Sequence, residues 1–234
     1  MHKGLSPLNR RVIVHDLKAE LDVLKPDIVF LQEVQGRHAR HAQRFANWPA
    51  GEQGDFLAGP HWPEVHYARN AVYAHGHHGN AILSRFAVES CTNDDMSMHR
   101  FEARGLLHAI VHIGGQRVHC FCIHLGLTER VRARQMAFIM QTLRERVGRE
   151  EPVVLAGDFN DWRNRVEPQL AEVGVLDSFT RAGHKPPRTF PGRLPLLRLD
   201  RIYTRALAVR EARVLHHLHR LSDHIGLHAT LALT

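Results

Sequence analysis

Residues 152–161, Pro-Val-Val-Leu-Ala-Gly-Asp-Phe-Asn-Asp, carry the pattern that decides the fold. Pro152 precedes a continuous apolar run, typical of a strand buried on both faces, and the run ends in the polar loop 157–160. Upstream, Thr128 is a suitable helix N-cap and Gly148 lies beyond the helix end. Between them, apolar residues recur at helical spacing: Met136, Ile139, Met140, Leu143 and Val147. A helix that leads into a buried strand predicts an α/β protein.

The same helix-to-strand unit occurs earlier in the sequence. Leu17, Leu21 and Leu24 mark one helix face, Pro26 ends that helix, and the apolar run 27–33 follows as a buried strand. Further strands are predicted at 80–85, 105–113, 117–125, 197–204 and 225–233.

No repeat or linker divides the sequence, so residues 1–234 are predicted to form a single α/β domain. The segment 48–79 is rich in Gly, Pro and His and has little periodicity, which predicts one or two extended loops. Extended loops often carry specificity, so we expect this segment and 184–197 to face the substrate.

Composition indicates an ordinary globular protein, with 44% apolar and 24% charged residues, and excludes a disordered chain. No apolar run has the length of a membrane span or a signal peptide, and three cysteines are too few for a disulfide framework. We therefore expect a cytoplasmic monomer. The net charge of +7 favours anionic partners, such as nucleic acid, anionic lipid headgroups or phosphorylated small molecules, without choosing among them.

Polar side chains follow or interrupt the apolar strands at positions where burial would favour apolar residues. They are Glu33, His124, Asp158, Asn160, Asp200, Asp223 and His224. Any one of them alone is commonly a cap or turn residue, but strand ends of one sheet converge on one rim, where α/β folds build their sites. Carboxylate and amide oxygens suit Mg²⁺ or Mn²⁺. A histidine beside an acid supplies a base or a phosphate contact, as phosphoryl transfer requires.

Six strings in this order make the pattern specific: LQEV (31–34), HGNAILSR (78–85), HLGL (124–127), GDFND (157–161), LDRIY (199–203) and SDH (222–224). Together they resemble the endonuclease/exonuclease/phosphatase superfamily over the whole sequence. The resemblance implies a DNase I-like, four-layer α/β/β/α sandwich, with two packed mixed β-sheets flanked by helices. It also implies one active site at the top of the sheets.

The resemblance also implies roles for individual residues. Glu33 resembles the metal-binding glutamate, and Asp223 is similar to the second metal-side aspartate. Asp158 and Asn160 resemble the pair that positions the attacking water and the phosphate. The remaining matches are a catalytic His224 oriented by Asp200, a phosphate-stabilising His124, and substrate-binding positions at Asn80 and Arg104. An arginine at 104 is about as often simply solvated.

The beginning of the sequence departs from the family pattern. Members usually start with a strand that ends in Asn, in a string like Asn-x-His-Lys-Gly, whereas this sequence starts with Met1-His2-Lys3-Gly4. Either the start codon was assigned too late or the domain lacks this strand. We favour the first explanation because loss of a central strand would expose apolar neighbours and ladder groups. As given, the chain is expected to bind metal weakly.

Other patterns are weighed against simpler interpretations. Cys120, Cys122 and His124 share a strand face and suggest zinc, but buried small hydrophobes explain the cysteines better. Histidines 75, 77 and 78 are interpreted mainly as loop residues, one of which touches substrate in the sharper alternative. The aromatic residues of segment 48–79 either pack the loop down or stack on a ligand; they are Trp48, Trp62 and Tyr67.

The sequence thus predicts a Mg²⁺- or Mn²⁺-dependent phosphoesterase, more specifically a phosphodiesterase in which an activated water attacks in line. A nuclease acting on DNA or RNA is the alternative, and a catalytically weak module that binds anionic ligands is the second. The expected substrate is a compact phosphodiester, because the substrate-facing loops mix aromatic and apolar residues with few positive charges.

Overall fold

The computed structural model describes residues 1–6, 10–99 and 102–234. Its helices are α1 (Val14–Leu24), α2 (Ala39–Arg44), α3 (Gln53–Ala58), α4 (Glu129–Arg146), α5 (Glu167–Ala171) and α6 (Ser178–Arg181), with a 3-10 helix at His216–Arg220. Its strands are β1 (Ile28–His38), β2 (Glu64–Tyr73), β3 (Gly76–Ser84), β4 (Val88–Asp95), β5 (Gly105–Ile113), β6 (Gln116–His124), β7 (Val153–Asp158), β8 (Leu176–Asp177), β9 (Asp200–Arg205), β10 (Leu207–Leu215) and β11 (Gly226–Leu233).

The largest sheet has six strands in the order β4-β5-β6-β7-β9-β8. Strands β6 and β7 are parallel and the other neighbours are antiparallel, so the sheet is mixed. In the register of the three central strands, His124 pairs with Asp158 and Asp158 pairs with Asp200. Three of the polar residues singled out in the sequence therefore lie side by side at the same end of these central strands.

The second sheet layer consists of two antiparallel pieces, a three-stranded sheet β1-β3-β2 and a two-stranded sheet β10-β11. An apolar groove of about 460 Å³ is lined by α1, β1 and β11 and by residues of the six-stranded sheet. Its lining includes Leu31 of β1, Leu231 of β11 and Val154 of β7.

Three clusters of buried residues show how the layers pack. On one face of the six-stranded sheet, Phe121 and Leu155 contact α4 through Met136, Ile139 and Leu143. On the opposite face, the alternate β6 residues Cys120 and Cys122 pack with β3, β5 and β7 between the sheet layers. The second layer is covered in turn by α1 and α3. The predicted α/β class and four-layer α/β/β/α arrangement are confirmed.

Several sequence predictions of local structure are confirmed. The α1 helix ends before Pro26, and Thr128 caps α4 by accepting the N–H of Val131 at 3.4 Å. Cys120 and Cys122 are fully buried, and burial raises the pKa of each thiol to about 12. None of the described helices has the length and apolar character needed to cross a bilayer.

The prediction of one or two extended loops over residues 48–79 was wrong. This segment contains α3, all of β2 and the beginning of β3. The strand β2 has half-exposed residues along most of its length, which is why it lacks a clear apolar period. Trp48 and Trp62 are buried in the core, and Trp62 donates a hydrogen bond to the carbonyl of Pro26 at 2.7 Å.

A buried histidine pair makes the stability of the fold depend on pH. His108 of β5 lies 3.0 Å from His119 of β6 and stacks on Phe121 with ring centroids 4.0 Å apart. Burial lowers the pKa of His108 from 6.5 to about 4, and repulsion from His119, when that ring is protonated, and from Arg146 adds to this effect. The unfolded state therefore binds the proton more readily than the folded state between these two values.

We expect the free energy of unfolding to decrease as pH falls from 6.5 to about 4, with His108 contributing up to about 3 kcal/mol of the decrease. Urea denaturation at several pH values measures it. Replacement His108→Gln, which cannot titrate, should flatten this dependence, whereas the exposed control His184→Gln should not. An unchanged slope in His108→Gln would contradict the assignment.

Candidate active site

The centre of the candidate site is the carboxylate of Asp158, at the carboxyl end of β7. Its Oδ2 atom lies 3.5 Å from Nε2 of His124 and 3.8 Å from Nε2 of His224. His224 also makes a hydrogen bond of 2.8 Å through Nδ1 to Oδ2 of Asp200. One carboxylate thus faces two imidazoles, and the second carboxylate fixes the orientation of one of them.

Backbone conformation in the loop after β7 positions Asp158 and Asn160. Gly157 has φ of 145°, and a Cβ atom there would lie 2.0 Å from the carbonyl oxygen of Ile123, so glycine permits the close approach of β6 and β7. Asn160 has φ of 49°, a conformation that Asn tolerates better than most residues. Its N–H donates to Oδ1 of Asp158 at 2.8 Å, and its side-chain amide donates to the carbonyl of Leu125 at 2.8 Å.

The pKa values of the side chains in this centre are shifted in different directions. Burial, together with the negative charge of Asp200, raises the pKa of Asp158. Burial opposes protonation of His224, but the hydrogen bond and charge of Asp200 outweigh it and raise the pKa of His224. Burial and the positive charge of Arg104 lower the pKa of His124 well below its ordinary value. The site therefore presents a charged imidazole and a neutral one to the same carboxylate.

A second pair of carboxylates lies beside this centre. Nδ1 of His2 is 3.5 Å from Oδ2 of Asp223 and 3.9 Å from Oε2 of Glu33. Burial alone would raise the pKa of Asp223, but the hydrogen bond from His2 and the positive charges of His224 and His2 lower it below its ordinary value. Glu33 has φ of 56° and lies at an irregularity in β1, between Leu31 and Val34.

The donor set of this pair fits a divalent cation. In residues 1–6, 10–99 and 102–234, no group of three or more His, Cys, Asp or Glu side chains is arranged to hold a metal ion. Mg²⁺, however, commonly binds through one or two carboxylates and keeps several waters. Glu33 and Asp223 both lie within 4 Å of one ring nitrogen of His2, and the hydrogen bond to Asp223 and the negative charges of both carboxylates raise the pKa of His2. The same two carboxylates would attract a divalent cation.

A narrow cleft next to these carboxylates contains two residues predicted to bind substrate, Asn80 and Arg104. The Asn80 amide is buried and donates to the carbonyls of Gly105 and Cys122, each at 3.3 Å. Arg104 donates to Glu102 at 3.2 Å and to the carbonyl of Leu125 at 3.4 Å. Arg104 is thus held by the protein rather than freely solvated.

Two residues at the site were not assigned to it from the sequence, His2 and Asn70. His78 was interpreted mainly as a loop residue and lies in β3. His78 lines the cleft, and its buried Nδ1 has no hydrogen-bond partner among the described residues. Burial lowers the pKa of His78 to about 4, so the side chain is neutral near pH 7. The neighbouring His77 lies on the other face of β3, where its Nδ1 makes a 2.9 Å hydrogen bond with the hydroxyl of Tyr67. Because side chains alternate along a strand, only one of His77 and His78 can face the cleft. Which of the two does so depends on the pairing of β3 with its neighbours, which the local sequence does not specify.

Comparison with known proteins shows the family and the fold. A model of the Endonuclease/Exonuclease/phosphatase family matches residues 5–224. The uncharacterized protein YbhP of Escherichia coli (strain K12) is 42% identical over 238 residues, covering 100% of this chain and 94% of the relative.

Two solved structures show the same fold. The mannosyl-6-phosphatase Bt3783 of Bacteroides thetaiotaomicron has a TM-score of 0.71 at 17% identity, covering 94% of this chain and 90% of that chain. TDP2 of D. rerio, complexed with a single-strand DNA product, has a TM-score of 0.65 at 20% identity, covering 94% of this chain and 91% of that chain. With the family match over most of its length, the chain belongs to the endonuclease/exonuclease/phosphatase family.

Proposed function

We propose that this protein is a divalent-metal-dependent phosphodiesterase that directs a water molecule at phosphorus. The observation that carries the proposal is the buried Asp158, which faces His124 and His224. These two histidines connect it to the carboxylate pair, since His224 also interacts with Asp223 and His124 lines the cleft with Glu33. In-line phosphoryl transfer needs a group that orients and deprotonates water, and groups that stabilise the developing negative charge. This arrangement supplies both kinds of group.

The charge state of each side chain determines which of these two roles it has in the proposal. Asp158, whose pKa is raised by burial, is suited to accept a proton from water near neutral pH. The N–H of Asn160 holds one oxygen of this carboxylate and leaves the other toward the histidines. His224 is kept positively charged by Asp200 and stabilises negative charge on the phosphoryl oxygens. The neutral His124 and the fixed guanidinium of Arg104 complete the phosphate contacts.

Glu33 and Asp223 would hold the metal, Mg²⁺ or Mn²⁺. When bound, such an ion neutralises charge on the phosphoryl and leaving oxygens. Their side chains are each about a third exposed, so a bound ion would keep contact with solvent and with substrate. This half-open position is consistent with a hard cation that retains waters.

The cleft favours a compact phosphodiester. Among the described residues that line it, Arg104 is the single Lys or Arg, and the other polar contacts come from Glu33, Asn70, His78, Asn80 and His124. A long polyanion is normally tracked by several cations along its backbone. A phosphate held by one arginine, beside the proposed metal ligand Glu33, suits a single phosphodiester group better.

We expect Mg²⁺- or Mn²⁺-supported hydrolysis of bis-p-nitrophenyl phosphate to exceed that of p-nitrophenyl phosphate by at least about tenfold. A headgroup diester should be cleaved better than plasmid DNA, single-stranded oligonucleotide or RNA. Efficient polynucleotide cleavage that falls steeply between about 50 and 200 mM salt would instead establish the nuclease alternative.

The same assay distinguishes the remaining outcomes. A monoester preference would replace the phosphodiesterase assignment by a phosphatase assignment. Binding of diesters without turnover would indicate the anion-binding alternative. The Asp158→Asn variant, purified in parallel, is the control for contaminating hydrolases.

A further inference from the structure

An exposed apolar hairpin lies at the edge of the six-stranded sheet that carries the active site. Phe190 and Leu197 form a bridge, and the N–H groups of Leu196 and Leu197 each donate to the carbonyl of Phe190 at 2.8 Å. The turn between them exposes Leu194 by 68% and Leu196 by 57%. Leucines exposed to this extent on a hydrogen-bonded hairpin contribute little to the core of the fold.

The hairpin is fixed against the site. The N–H of Gly192 donates to the carbonyl of Asp223 at 2.6 Å, and the ring of Phe190 lies 4.9 Å from that of His224. At the base of the hairpin, Thr189 accepts the N–H of Asp200 through its hydroxyl at 3.2 Å. Whatever binds the hairpin is therefore held next to the candidate catalytic groups.

Two further apolar side chains are exposed at the same sheet edge. Leu127 follows His124 at the end of β6 and is 71% exposed, and Trp162 follows Asn160 after β7 and is 51% exposed. Arg163 stacks over the ring of Trp162 at 4.4 Å. We use the term apolar rim for Leu127, Trp162 and the hairpin 190–198.

The Lys, Arg, Asp and Glu positions in the hairpin and just before it are all occupied by positively charged residues. Residues 184–198 contain Lys185, Arg188, Arg193 and Arg198, and no Asp or Glu. All four side chains belong to exposed residues, and none forms an ion pair within the described parts of the chain. Apolar side chains between unpaired cations match a surface that is negatively charged outside and apolar beneath.

We propose that the apolar rim docks on the surface of an anionic lipid bilayer, with Leu194 and Leu196 inserted below the headgroups. The cations of the hairpin then lie at headgroup level, and the cleft opens toward phosphodiesters of the membrane. Nucleic acid fits this surface less well, because the most exposed apolar side chains of the hairpin are leucines, which do not stack on bases, and the exposed ring of Trp162 already carries Arg163 over it. The docking requires no turnover and goes beyond the proposed catalytic function.

The test is co-sedimentation with vesicles in the presence of EDTA, so that hydrolysis does not contribute. The probes are phosphatidylcholine vesicles, with or without about one third phosphatidylglycerol. We expect binding to the anionic vesicles only, decreased by added salt. The double variant Leu194→Asp/Leu196→Asp should weaken this binding at least about tenfold. Arg193→Gln/Arg198→Gln should weaken it by a similar factor, since each surface cation contributes roughly fivefold.

Val23→Asp is the matched control, because Val23 is 79% exposed on α1, outside the rim. It should bind like the wild type, and thermal melting should show that all the variants are folded. Absence of vesicle binding would overturn the proposal, as would binding that the hairpin variants leave unchanged. Tighter binding to a DNA duplex than to the vesicles, lost in the same hairpin variants, would reassign the rim to nucleic acid and also overturn it.

Discussion

Chelation of divalent cations is expected to abolish hydrolysis of bis-p-nitrophenyl phosphate, and added Mg²⁺ or Mn²⁺ to restore it. The physical reason is the composition of the proposed ligand pair, since Glu33 and Asp223 offer only carboxylate oxygens. Against the effect of burial, the hydrogen bond from His2 and the positive charges of His224 and His2 lower the pKa of Asp223, so this carboxyl is ionised, as a metal ligand must be. The measurement is the initial rate before and after EDTA, followed by titration with each metal.

Variants of the two ligands separate metal binding from other effects. Glu33→Gln and Asp223→Asn should each lower the metal-supported rate by at least about 100-fold. They should also reduce the Mg²⁺-induced increase in melting temperature, which reports binding without turnover. Glu211→Gln, at an exposed position of β10, is the control and should retain both properties. Activity that survives EDTA but is lost with a zinc-selective chelator would contradict the assignment.

The parts of the fold that were predicted from the sequence are those with a regular or continuous apolar pattern. The β7 run is buried throughout, and the apolar face of α4 recurs regularly, so local composition alone identifies them. The strands that were not predicted are edge strands: β2, β4, β8 and β10 each lie at one end of their sheet. Strands β2, β4 and β10 have exposed and half-exposed residues along most of their length, so they lack a clear apolar period, and β8 has only two residues.

The candidate site shows the same division. Asp158, Asp200 and His124 were predicted to share a rim because each ends or begins a recognisable strand, and the register confirms that they are neighbours. His2 and His78 reach the site through pairing of β1 with β3 and through the fold of the first residues, which no local pattern specifies. Polar residues at strand ends are thus identified from local sequence. Glu33 and Asn80 lie inside β1 and β3, and their roles were assigned through the family resemblance.

Loss of the Asp158 carboxylate is expected to have the second large effect on turnover. Asp158→Asn keeps the size of the side chain but cannot accept a proton, and His224→Ala removes the charged imidazole. Each should lower kcat at least about 100-fold, the scale of a general base or a charge-stabilising group. Both variants should remain folded, because the two side chains lie at the sheet edge rather than in the apolar clusters.

The pH dependence of the rate distinguishes a catalytic role of Asp158 from a structural one, because a structural defect would not shift the pH profile. Asp158 must be ionised to act as a base, so the rate should rise with pH through the pKa of Asp158. The negative charge of Asp200 raises that pKa, and its influence exceeds the opposing influence of His224. Asp200→Asn should therefore lower kcat and shift the acid limb of the profile to lower pH. The exposed His217→Ala is the control and should change neither property. An acid limb that keeps its position in Asp200→Asn, or full turnover in Asp158→Asn, would show that another group activates the water.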